Sequence, residues 1–121
     1  MKPRTLEVLS RVQAVREAAR RRELLAAADR ADLARAERDR LDGEELAVRS
    51  AFGSDSICDD SRLQDHALRY ADRLRKQAAD ASEDLRQRET EQEAARAGFL
   101  KSLVKSGVLA RKRREADSDG E

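Results

Sequence analysis

The chain has 121 residues, 26 basic and 25 acidic, so its formal charge is only +1 although 42% of its residues are charged. Leu, Val, Ile and Phe together number 23, about 19%, just under the roughly 20% below which chains tend to be disordered, but the balanced charge lacks the large net value of a disordered chain. Alanine richness, a single proline and 2% aromatic residues exclude an aromatic core and point to long helices that need little core.

The first predicted helix covers about residues 4–51. Pro3 suits a first-turn position, where the missing N–H costs nothing. Val8, Val12, Val15 and Ala19 recur in steps of four and three and form an opening stripe. Leu24, Ala27, Ala31, Ala34, Leu41 and Val48 form a second stripe, with Arg38 and Glu45 on the same seam. The step from Ala19 to Leu24 breaks the heptad, so the spacing predicts a stutter there. Gly43 lies inside the helix and costs about 1 kcal/mol relative to Ala.

Residues 52–60, FGSDSICDD, are the break. Gly53 fits a left-handed helix end. Ser61 to Gln64 reads as a capping box that opens a second helix over about 61–114. Leu63, Ala67, Tyr70, Leu74, Ala78, Ala81 and Leu85, then Ala95, Phe99 and Leu103, mark its apolar stripe. Acid-first pairs four residues apart, such as Glu7–Arg11, Glu45–Arg49 and Asp84–Arg88, support both helices. Arg111–Arg114 form a basic patch, and residues 116–121 read as a disordered acidic tail.

One short connection between two long helices makes them antiparallel neighbours. The predicted fold is all-α: two long helices in an antiparallel coiled-coil hairpin, an elongated rod and a monomer when free. No apolar segment follows Lys2–Arg4 as in a signal peptide, and no run of ~18 apolar residues would span a bilayer. The expectation is a protein of the reducing cytoplasm without membrane insertion.

Catalytic patterns are missing. His66 is the sole histidine and Cys58 the sole cysteine, so neither completes a metal or nucleophile constellation. No glycine-rich phosphate loop occurs. The expectation is a non-enzyme with no cofactor and no metal. For nucleic acid, Arg20–Arg22 and Arg111–Arg114 are basic clusters. However, +1 overall gives little pull on phosphate, and Phe52, Tyr70 and Phe99 stand singly rather than as a stacking platform. The same stripes would also serve a homodimeric coiled-coil scaffold.

Small size, the opening KPRTLEVLSRV at residues 2–12, two Arg/Glu/Ala-rich helices, a central break and a basic end before an acidic tail resemble the FliJ/YscO family of type III secretion. The resemblance implies a stalk that inserts its paired helix ends into a hexameric secretion ATPase, points its loop end to the export gate and binds export chaperones in some members. By position it implies ATPase contact through Arg11, Arg111, Lys112, Arg113 and Arg114. It implies gate or chaperone contact through Leu41, Val48, Phe52, Leu63 and Tyr70. Read from the residues alone, the apolar five would simply hold the helices together and the basic group would be a solvated helix end.

Overall fold

The carbonyl of Lys2 accepts the first helical hydrogen bond, from the Leu6 amide at 3.1 Å, and Pro3 takes the first helical position, where its missing N–H is not required. In the computed structural model, which describes residues 2–52 and 60–119, α1 runs Pro3–Phe52 and α2 runs Ser61–Asp119. The expected all-α hairpin is the fold: the two helices pack against each other, and no strand occurs among the described residues. Gly53, Cys58 and most of the expected connection lie outside the described residues.

The second helix is capped one residue earlier than the sequence pattern suggests. Asp60 Oδ1 accepts from the Arg62 and Leu63 amides at 3.0 and 3.3 Å, so aspartate rather than Ser61 satisfies the first orphan donors. Gln64, freed from the capping box, donates to the Phe52 carbonyl at 3.2 Å and ties the end of α1 to the start of α2. At the other end, α2 passes residue 114 and continues to Asp119, so residues 116–119 of the expected disordered tail are helical. Ala116 is half-buried and keeps the three-and-four spacing from Leu109 and Arg113, which gives those last turns something to pack.

The packing divides into two compact units, Asp29–Glu89 and Met1–Ala28 with Thr90–Glu121. In the Asp29–Glu89 unit, α1 buries Ala31, Ala34 and Leu41 and half-buries Arg38, Glu45, Val48 and Phe52. From α2 come buried Ala71, Leu74, Ala78 and Leu85, with Gln64, Ala67, Ala81 and Arg88 half-buried. Every step is three or four in strict alternation, the heptad of a coiled coil. Leu41, Leu74 and Ala78 form the centre, with Val48 and Ala81 against them. Arg49 meets Asp72 at 2.9 Å and Arg35 meets Glu89 at 3.6 Å, so rising numbers on α1 face falling numbers on α2, the antiparallel sense.

Two expected seam residues of α2 lie outside this seam. Leu63 and Tyr70 are exposed, while their neighbours Gln64 and Ala71 take the inward positions. A fully buried alanine lets the helix backbones approach, and a tyrosine ring there would hold them apart. The Tyr70 ring instead sits beside the Arg73 guanidinium, 5.8 Å from its centroid.

In the unit built from the chain ends, the same heptad phase continues through Leu6, Ser10, Gln13, Glu17, Leu24 and Ala27 on α1, all buried or half-buried, with exposed Arg20 at the position between Glu17 and Leu24. This corrects the opening stripe. Val8, Val12 and Val15 are 53%, 41% and 68% exposed, and no stutter follows Ala19. The two stripes lie two residues apart, about 200° around a helix, so they occupy nearly opposite faces. Leu6 and Leu24 share the heptad phase of the alanine block, and an unbroken helix carries that phase through the polar positions between them. On α2 the inward positions are Gln92, Ala95, Phe99, Ser102, Ser106 and Leu109; Leu103 is exposed where Ser102 is buried.

Candidate contact surface

The chain-end unit is partly polar inside and basic outside. Gln13, 5% exposed, donates from Nε2 to the Ser102 carbonyl at 2.9 Å. The Ser106 hydroxyl donates to Glu17 Oε2, and Ser10 Oγ is a buried hydroxyl without a hydrogen-bond partner among the described residues. Arg20 lies over Gly98, where a Cβ would sit 3.8 Å from Arg20 Cδ, an ordinary van der Waals contact. These hydrogen bonds, each worth about 1 kcal/mol net, satisfy polar groups that share the seam with Leu6, Ala27 and Phe99.

The formal charge of +1 conceals a division along the chain. Met1–Ala28 with Thr90–Glu121 holds 14 basic and 9 acidic residues, +5; Asp29–Glu89 holds the remaining 12 basic and 16 acidic residues, −4. Within the first, residues 96–114 contain Arg96, Lys101, Lys105 and Arg111–Arg114 and no acid at all. The overall charge therefore understates how strongly this unit attracts an acidic surface.

The proposed ATPase-facing residues all fall in this basic unit. Arg11 is exposed and paired to Glu7 at 2.8 Å, a solvated i, i+4 pair. Arg111, Lys112, Arg113 and Arg114 are exposed along α2. Arg113 and Arg114 also line an open groove of about 520 Å³ together with Ser10, Gln13, Glu17, Ser106 and Asp117. Two carboxylates and two guanidinium groups leave that groove without net charge, so it has no preference for an anion.

The five apolar candidates fall in the Asp29–Glu89 unit and separate there. Leu41 is 4% exposed in the core cluster and half-buried Val48 packs on it, so both hold the helices together. Phe52 is half-buried, and Leu63 and Tyr70 are exposed, which leaves these three able to meet a partner.

The Asp29–Glu89 unit also carries surface ion pairs. Arg40 hydrogen-bonds Glu37 at 2.6 Å and Glu44 at 2.7 Å. The Glu37 carboxyl is held below the ordinary carboxylate range, chiefly by that hydrogen bond from Arg40, and Arg40 is raised in turn. Arg49 is likewise raised, first by Asp72 and then by Glu45. Among the described residues, no group of three or more His, Cys, Asp or Glu side chains is placed to hold a metal. No helix of the described chain is long and apolar enough to cross a membrane.

Sequence reasoning missed the outward turn of the valines and the division of charge. The second was open to inspection, because residues 96–114 can be counted from the sequence; the first required the helix phase. Comparison with known proteins finds no matching family model, no similar curated protein and no similar solved structure, so the resemblance to FliJ/YscO rests on the sequence features alone.

Proposed function

We propose that this chain is a non-catalytic coiled-coil contact component of a type III secretion apparatus, coupling the secretion ATPase to the export gate. The observation that carries the reading is the concentration of basic charge, without any acid over residues 96–114, in the unit that also contains Arg11. In this reading Arg11 and Arg111–Arg114 meet acidic residues of the ATPase ring, and exposed Leu63 and Tyr70 with Phe52 contact the gate or an export chaperone. The protein is a cytoplasmic monomer when free and sits peripherally on the inner-membrane apparatus. Its thin, partly polar seam leaves modest intrinsic stability, which a partner would supplement.

The test is stimulation of a purified secretion ATPase by the full chain. Replacing Arg111, Lys112, Arg113 and Arg114 by Ala should abolish most of the stimulation while helicity stays intact. Unchanged stimulation contradicts the assignment.

The same charge division favours a second reading, a nucleic-acid-binding helical protein, more than the total of +1 does. A salt-sensitive mobility shift with DNA, lost in the same variant, would select it.

A further inference from the structure

On the first turns of α1, Val8, Val12 and Val15 stand at heptad spacing on the face turned away from α2, all exposed. Three valines there are unfavourable twice over. β-Branched side chains lose rotamer freedom in a helix, and the apolar surface is left in water. A ribbon stepping four then three is the form in which one helix receives another.

The residues flanking the ribbon decide what kind of helix. With the valines as core positions, the flanking positions are Lys2, Arg4, Leu9, Arg11, Arg16 and Ala18, and no acid occurs among them. Glu7 lies further round, where it pairs with Arg11. Flanking positions set partner choice by charge. A second copy using the same ribbon would set these cations against one another, which disfavours self-pairing. A bilayer surface is disfavoured by short side chains and by the absence of any aromatic residue between Lys2 and Glu23.

We infer that the outer face of α1 around Val8, Val12 and Val15 is a docking ribbon for an amphipathic helix of another protein whose flanking positions are acidic. The hairpin then becomes a three-helix bundle over these turns, with a new apolar seam outside the polar one. The ribbon shares Arg11 with the proposed ATPase surface but not Arg111–Arg114, and the substitutions that test it leave all five of those cations in place.

The experiment uses the full chain and two labelled synthetic helices of about three heptads, both with Leu cores, one with Glu and the other with Lys at the flanking positions. Fluorescence anisotropy should show saturable binding of the Glu helix, with the Lys helix at least ~10-fold weaker. Val12→Asp, and separately Val15→Gln at the most exposed of the three, should each weaken the Glu helix by roughly 10-fold or more, with circular dichroism unchanged. Equal binding of both helices, no binding, or indifference to both substitutions overturns the proposal. So does a mass of two chains that Val12→Asp reduces to one, which would assign the ribbon to a second copy. Binding to phosphatidylglycerol vesicles that Val12→Asp abolishes, without binding of the Glu helix, would assign it to a membrane and equally overturns it.

Discussion

Gln13 reaches across the seam to the main-chain carbonyl of Ser102, 2.9 Å away, from a position that a coiled coil ordinarily fills with leucine. One buried amide of this kind fixes which residues face each other and lowers stability. Gln13→Leu should therefore raise the unfolding free energy by about 1 kcal/mol, and Gln13→Ala should lower it by about 1 kcal/mol. Urea unfolding followed by circular dichroism measures both.

Leu41 and Val12 make a paired test of where the interior lies. Leu41→Ala removes a buried side chain at the centre of the Asp29–Glu89 unit and should cost about 2–3 kcal/mol. Val12→Ala changes an exposed β-branched residue to the best helix former and should fall within about 0.5 kcal/mol of neutral. If the valine ribbon were the real seam, the second substitution would cost 1 kcal/mol or more on the same scale.

Gly43 and Gly107 lie inside helices with helical backbones, and a Cβ at either would meet no atom within 4 Å. Gly43→Ala and Gly107→Ala should each stabilise the protein by about 0.5–1 kcal/mol through the unfolded chain. Urea unfolding measures both, and a loss of stability at either would contradict an open helical position there.

Glu37 offers a pH test. Its carboxyl is held below the ordinary range by the hydrogen bond from Arg40, so its folded value is depressed. The pair adds stability above the ordinary carboxylate range, and that contribution disappears as pH falls through the lowered value. Both groups are at the surface, so the effect on unfolding is small and the titration itself is the readout. Carbon-13 titration should place the Glu37 midpoint below those of exposed glutamates, and Arg40→Ala should return it to them.

The helices, the break and the alanine-leucine seam of the Asp29–Glu89 unit were legible because apolar spacing and heptad phase agree there. Ala31, Ala34, Leu41, Leu74, Ala78 and Leu85 satisfy both. They disagree in the chain-end unit. Valine outranks serine, glutamine and glutamate as an interior residue, yet Ser10, Gln13 and Glu17 keep the phase of Leu6 and Leu24 while Val8, Val12 and Val15 do not. Tyr70 misled in the same way, since Ala71 beside it allows a closer helix approach. At the start of α2, Asp60 and Ser61 are both good caps, and sequence pattern alone did not choose between them. The basic character of the chain-end unit was hidden for a different reason: summing charge over the whole chain cancelled +5 in one unit against −4 in the other.

Everything above depends on which face of α1 is turned inward, and thiol labelling reads that face directly. In a Cys58→Ser background, Gln13→Cys and Val15→Cys are treated separately with the same maleimide under native conditions. Burial of position 13 and exposure of position 15 predict labelling at least ~10-fold slower for Gln13→Cys, with the two rates converging in denaturant. Equal native rates, or slower labelling of Val15→Cys, would contradict the polar seam and return the valines to the interior.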